Sequence, residues 1–502
     1  MEQESGWEVL RSSAEAPEND RPDLARLGLP PASIPSLVAL RVATSAYQAA
    51  SRLLDLPRPV LLDSSLSNER TGRFSYFTAD PFLTLRSRGR RCELVGPTGR
   101  TVLEADPFEL LRHLLAYYQV PRPSDLPPFV GGAIGCFGYD LGRLLETLPA
   151  TNPVDDFHEL DVGFYDWALA TDHILGENWL VGTGFPAGGE GAARARLAEI
   201  RACLNTTVTS LEASDESMET AERTSPRLRS NVRRVDYLDA VRYAKEYIAA
   251  GDIYQVNMSH RLEGRWQGPS WSLYERLRRG SPVSHGAYLD LGEVVVLSAS
   301  PERFLRLHRE RVETRPIKGT RPRGRTPEED QALRAELLSS EKDRAENVMI
   351  VDLLRNDLGK VCRVGSVRVP ELFSLEGYSS VWHLVSTVGG ELRPGLGAID
   401  LLEACFPGGS VTGCPKIRAM EIIEELEQVR RGFYCGAIGY LSFTGDMDTS
   451  IAIRTLVLGG GRMHLQVGGA VVTDSEPEAE YTETLAKGRA VLSAVGAKLE
   501  EW

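Results

Sequence analysis

Nowhere in the 502 residues is there an uninterrupted apolar run of about 18 side chains, so no membrane-crossing helix is expected. The seven cysteines, Cys92, Cys136, Cys203, Cys362, Cys405, Cys414 and Cys435, are scattered, odd in number and without a CxxC pair. That pattern excludes a disulfide framework and a zinc site, and reduced, mostly buried thiols are expected. Basic residues are in deficit, 57 Lys+Arg against 70 Asp+Glu for a net charge of −13. Wholesale nucleic-acid or anionic-membrane binding is therefore not expected, although a local anion site is compatible with an acidic chain. The opening MEQESGWEVLRSSAEAPEND is acidic where a secretion signal is basic and then apolar, which predicts a cytosolic protein. No repeat of 20–50 residues is visible, so a solenoid is excluded.

What is present is an ordinary globular balance, 42% apolar and 25% charged, on a chain long enough for two to four domains or one composite fold. Residues 1–34 are polar and Pro-rich and are expected to be poorly ordered; 35–204 form an N-terminal region, 205–232 a Ser/Thr/Glu-rich linker, and 233–502 a second region. PVLLDSS and GRFSYFTA read as strands, PFELLRHLLAYYQ as an amphipathic helix, and DVGFYDWALATDHILGENWLVGTG as a hairpin. VDYLDAVRYAKEYIAAG reads as a helix capped near Asp236 and ended by Gly251. Without clean βαβ periodicity, the expected class is α+β: large, mainly antiparallel sheets packed face to face and covered by helices.

Chemistry concentrates in the second region. ETRPIKGTRPRG sets Lys318 among arginines, an arrangement that disfavours the ammonium, although a solvated basic loop explains the same residues. Asp343 and Glu346 stand at i, i+3 in SSEKDRAENVMIVDLL, and Glu480 and Glu483 repeat that spacing in TDSEPEAEYTETLAK, where Ser475 and Glu478 have capping-box spacing. Brought together, the two pairs would suit a hard divalent cation; apart, they are solvated helix faces. CFPGGSVTGCPK resembles a phosphate-binding loop but has Cys414-Pro415-Lys416 where Gly-Lys-Ser/Thr is required. IAIRT puts Arg454 in an apolar strand, where it needs either an internal ion pair or a ligand carboxylate. Gly468 and Gly469 in QVGGAVV imply close approach of a ligand or of another backbone. GCFGYD around Cys136 only faintly echoes a glutaminase nucleophile turn, and no matching His-Pro-Glu follows.

Together AGDIYQVNMSHR, SPERFL, PIKGTRPRG, AENVMIVDLLRNDLG, HLVSTV, PGGSVTGCPKIRAM, GAIGYL, TSIAIRT and DSEPEAEYTETLAK resemble the chorismate-utilising family that includes anthranilate synthase component I, in family order. The resemblance implies Mg²⁺ held most directly by Glu346 and Glu483, with Asp343 and Glu480 supporting. It implies that Gln255, Gly319, Thr320, Ser410, Gly413, Tyr434, Arg454, Gly468, Gly469 and Ala470 surround chorismate, with His383 in the active site. Ser64, in LLDSS, corresponds to that family's tryptophan pocket, while Ser284-His285-Gly286 replaces the Pro-Tyr-Met-like segment of feedback-inhibited members.

Two positions separate the family's reactions. Gln255 stands where water-adding members carry a lysine base, and an amide cannot take that proton, so an amine nucleophile is implied. PIKGT resembles the branch forming 4-amino-4-deoxychorismate, where PIAGT is typical of anthranilate formation. By that resemblance Lys318 attacks C2 of chorismate, Glu302 protonates the leaving C4 hydroxyl, and ammonia then expels the lysine. With no glutaminase segment visible, the ammonia is expected from a separate glutamine amidotransferase subunit.

Overall fold

The computed structural model describes residues 8–10, 29, 35–66, 70–153, 157–206, 226–378 and 381–500. Most of the expected N-terminal extension, and residues 207–225 of the expected linker, lie outside the described residues.

Alternating apolar runs build two sheets, of 14 and 12 strands. Among the described pairings only Arg227–Ser230 with Lys498–Glu500 is parallel. Strands from both halves of the sequence interleave. Val60–Asp63 pairs with His285–Asp290 in the larger sheet, and Gly132–Phe137 pairs with Ala437–Ser442 in the smaller. The sheets meet face to face through Tyr76, Ala168, Leu289 and Val296 on one side and Ile134, Ile438 and Tyr440 on the other. Tyr76 and Tyr440 cross edge to face with ring centres 5.4 Å apart, a geometry the ring quadrupoles favour. Each such large apolar side chain withdrawn from water contributes about 1.5–3 kcal/mol against chain entropy.

The PFELLRHLLAYYQ spacing gives the helix Pro107–Tyr117, which is capped by Asp106 and buries Phe108, Leu111 and Leu114. The helix Arg234–Ala250 ends at Gly251 as expected, with φ at 86°, but its cap is Arg233; Asp236 lies in the first turn and bonds the Arg233 guanidinium. The segment read as one hairpin divides at Asp166. Leu160–Tyr165 enters the smaller sheet, and only Trp167–Asp172 and Glu177–Gly182 form the hairpin, in the larger one. Both faces of these strands are buried, so the sequence carries no alternation to mark the crossing.

Six elements converge on one cavity. Gln255–Arg265 and Arg462–Val471 pair over ten residues, placing Ala470 beside Asn257 and Gly468 beside Ser259. Ile317–Pro322 pairs with Val381–Glu391, with Thr320 opposite His383 and the register broken between Ile317 and Thr320. The first acidic helix, Glu341–Gly359, packs on this second pair, and the other, Pro477–Ala494, on Arg462–Val471.

Candidate active site

The cavity measures about 660 Å³ and gathers motifs separated by more than 200 residues, from Asn257 to Lys487. Lys318, Gly319, Thr320 and His383 form one wall; Glu302, Ser410 and Arg454 another; Tyr434, Gly468 and Ala470 line it from the strand side. Asp343, Glu346, Glu480 and Glu483 all line it from the two acidic helices.

Lys318 reaches the cavity because of a bulge. The irregular register between Ile317 and Thr320 re-aims the intervening residues. Gly319 sits at φ 88°, and a Cβ there would lie 2.9 Å from Leu337 Cδ1 and 3.1 Å from Asp343 Cβ, so both the dihedral and the packing exclude a side chain. Burial depresses the Lys318 pKa; Glu346 opposes the shift, Lys487 adds to it, and Glu302 and Glu483 oppose it. The arginines of the ETRPIKGTRPRG stretch are not the cause. Arg315 is paired with Glu376 and Glu371, Arg321 with Glu336 and Asp343, and Arg323 with Asp330, so each has its charge matched elsewhere.

Glu302 is 5% exposed and receives the Ser410 hydroxyl on Oε1 at 2.6 Å. Burial raises its pKa, against the Ser410 hydrogen bond, Lys318, the Ile317 N–H and Arg454. An acid whose protonated form is favoured by burial, in the same cavity as a lysine with weakened basicity, can serve as a proton donor to a nucleophile's reaction. His383 donates or accepts through Nδ1 to the Thr320 hydroxyl at 2.8 Å, while its Nε2 has no partner. Burial, then the Arg454 charge, lowers the His383 pKa to about 3, so the ring is neutral at pH 7.

Arg454 departs from expectation. It is not inside a strand but in the link between Met447–Ile451 and Thr455–Gly459, at φ 52°. The kink turns its guanidinium toward the cavity, where among the described residues it has no ion-pair partner, and burial lowers its pKa. Of the two readings of Arg454, the internal ion pair is thus absent. A half-buried, desolvated cation without a counterion is a receptor for an anion.

The carboxylates differ in their surroundings. Ser475 does not cap its helix; its hydroxyl bonds Glu480 Oε1 at 2.6 Å, and the N-cap is Glu476 without a side-chain bond. Glu480 Oε2 is buried without a partner. Burial raises the pKa of Glu346, with Lys318 and Lys342 opposing and Asp343 and Glu483 reinforcing. Desolvation acts the same way on half-exposed Glu483, but Lys487, whose ammonium is 2.7 Å from Glu483 Oε1, together with Lys342 and Lys318 outweighs it and brings the pKa down.

Gln255, Gly413 and Gly469 do not line the cavity. Gln255 is fully buried with both amide atoms unpartnered, and Gly413 packs behind it in the two-residue strand Gly413–Cys414. A Cβ on Gly469 would stand 3.1 Å from Glu480 Oε2, and one on Gly468 only 2.7 Å from the Tyr434 hydroxyl, so close approach is by the protein's own groups. Lys416 bonds Asp357 and the Cys405 carbonyl, away from the cavity. Ser64 lines a second cavity of about 210 Å³ with Ser284 and His285. Burial raises the Cys136 thiol pKa well above its usual range, which removes it as a nucleophile.

Lys342, Asn257, Gln466 and Lys487 line the cavity and were not singled out from sequence. The i+4 spacing of Lys487 from Glu483 was the available signal.

Among proteins of known identity, aminodeoxychorismate synthase component 1 of Klebsiella aerogenes is 44% identical over 444 residues, 88% of this chain and 94% of that one. Anthranilate synthase component 1 of Aquifex aeolicus is 39% identical over 442 residues, covering 87% and 89%. The crystal structure of anthranilate synthase component I from Streptococcus pneumoniae superposes with a TM-score of 0.74 at 31% identity, over 85% of this chain and 93% of that one. Residues 63–493 match the family described as chorismate binding enzyme. An unpaired cation, a weakened lysine and a buried acid around one cavity, in a chain this similar, identify it as a member of the chorismate binding enzyme family and a chorismate-utilising enzyme.

Proposed function

We propose that the enzyme aminates chorismate to 4-amino-4-deoxychorismate, the precursor of 4-aminobenzoate and folate, as the name of its Klebsiella relative indicates for that protein. The observation that carries this reading is Lys318 in the cavity wall beside Glu302, with burial weakening its basicity. The Lys318 amine adds to C2 of the ring, both ring double bonds shift toward C4, and the C4 hydroxyl departs as water with the proton of Glu302. Ammonia then adds at C4, both double bonds shift back, the C2–Nζ bond breaks, and a proton of the incoming nitrogen returns to Glu302, restoring Lys318 and the acid. Net, one ammonia enters and one water leaves. Arg454 receives a carboxylate of the dianionic substrate, and neutral His383, tied to Thr320, borders the ring.

The acidic helices fit Mg²⁺. Among the described residues no three His, Cys, Asp or Glu groups form a ready cage, and Mg²⁺ instead takes one or two carboxylates plus water and substrate oxygens. Glu346 and Glu483 would hold the ion directly, with Glu480, whose Oε2 lacks a partner, and Asp343 lining the cavity beside them. The ion would neutralise a substrate carboxylate that these acids otherwise repel. Ammonia comes from a separate glutamine amidotransferase subunit, in keeping with the "component 1" of the relatives' names. The smaller cavity at Ser64 would receive tryptophan as a structural ligand.

Incubation with chorismate, Mg²⁺ and ammonium, followed by chromatography of the product, tests the reading. Accumulation of 4-amino-4-deoxychorismate supports it; direct release of anthranilate, as the Aquifex relative's name would suggest, defeats it.

A further inference from the structure

Arg321 is the hub of three elements. Its Nε bonds Glu336 Oε1 at 2.8 Å, one terminal nitrogen bonds Asp343 Oδ2 at 3.1 Å, and the other bonds the Thr320 carbonyl at 3.0 Å. It thereby joins the strand Ile317–Pro322 to the helix Pro327–Ser339 and to the first turn of the acidic helix Glu341–Gly359. Asp343 is fixed from the other side as well. Ser340 caps its N–H at 3.2 Å, and its Cβ and Cγ lie 3.1 Å from where a Gly319 Cβ would be. The Asp343–Arg321 pair thus encloses the peptide next to Lys318. Both side chains are mostly withdrawn from solvent, 16% and 24% exposed, so the pair is less screened than a surface bridge.

We infer that Arg321 and Asp343 form a clamp that positions Lys318, and that Asp343 is a positioning residue whose carboxylate belongs to Arg321 and not to the cation. The role rests on the covalent reading of Lys318 given above. A planar guanidinium can bridge two carboxylates and a carbonyl at fixed angles, which an ammonium cannot. The bulge that aims Lys318 into the cavity needs such an external constraint, because its ladder to Val381–Glu391 is interrupted there.

The test uses the full chain and two readouts. Mn²⁺ alone is titrated in, with free ion followed by electron paramagnetic resonance. Asp343→Asn is expected to hold Mn²⁺ within about threefold of the parent, whereas Glu346→Gln loses about tenfold or more. Labelling of Lys318 by trinitrobenzenesulfonate is then timed by peptide mapping. Arg321→Gln and Asp343→Asn each change that rate by about fivefold, and the double variant changes it no further, as expected of a single unit. Arg321→Lys, which retains charge and disturbs folding least, behaves like Arg321→Gln. Asp343→Asn losing Mn²⁺ as Glu346→Gln does, additive labelling effects, or full rescue by Arg321→Lys would each overturn the clamp. If the parent forms no chorismate adduct while the Mn²⁺ and labelling results hold, the covalent reading fails and the clamp stands.

Discussion

Ser410 and Glu302, 108 residues apart in sequence, meet in the cavity wall with the serine hydroxyl 2.6 Å from Oε1. That hydrogen bond favours the carboxylate, while burial favours the acid, and the balance sets where Glu302 gives up its proton. Ser410→Ala removes the lowering contribution. The pKa of Glu302 rises, and the alkaline limb of the pH profile of kcat/KM, above which the acid is spent, moves up by about one unit. A downward or absent displacement would show that Glu302 is not the proton donor.

Arg454 carries a half-buried, desolvated charge that has no ion-pair partner among the described residues. Arg454→Met leaves folding stability unchanged or higher, because it removes a desolvated cation. It raises KM for chorismate by about a hundredfold, the cost of one buried charge-assisted contact. Urea titration and steady-state kinetics check both; lost stability with unchanged KM would mean a structural role.

Gly319 tolerates no side chain. Gly319→Ala must adopt φ near 88° and press on Leu337 and Asp343. A loss of about 1–3 kcal/mol in urea unfolding is expected, together with a larger loss of activity because Lys318 is the next residue.

His383 links stability to pH. Its folded pKa is about 3 against the usual 6.5, so the unfolded chain binds the proton that the folded chain refuses. Stability is intact above pH 6.5 and falls as pH drops from there toward about 3. Relative to His383→Asn, the parent should lose about 2 kcal/mol between pH 7 and pH 5. Parallel stability curves for the two proteins would show that His383 is not buried as a neutral ring.

Much of this site was legible because its chemistry sits in short motifs. Lys318, Glu302, Glu346, Glu483 and Arg454 all line one cavity, and the α+β class followed from the absence of βαβ periodicity. What escaped was set by tertiary contacts. The spacing of Ser475 from Glu478 predicts a cap, yet in the folded chain that hydroxyl donates to buried Glu480 and its oxygen accepts from the Val472 N–H, so no helix N–H is capped. Arg454 looked like a strand residue because its neighbours are apolar, and only the ladder shows the kink. The arginines around Lys318 promised electrostatic tuning by adjacency, but their partners, Glu336, Glu371 and Glu376 among them, lie outside the motif. The crossing of strands between sheets at Asp166 has no local signature, since both flanking strands are buried on both faces.

The central claim is that Lys318 forms a bond to the substrate. Intact-protein and peptide mass spectrometry of the chain quenched with chorismate and Mg²⁺ in the absence of ammonia tests it directly. The account predicts an added mass of chorismate less one water, confined to the Lys318 peptide and absent in Lys318→Ala. Amination by Lys318→Ala at the parent's rate, with no adduct on the parent, would contradict it.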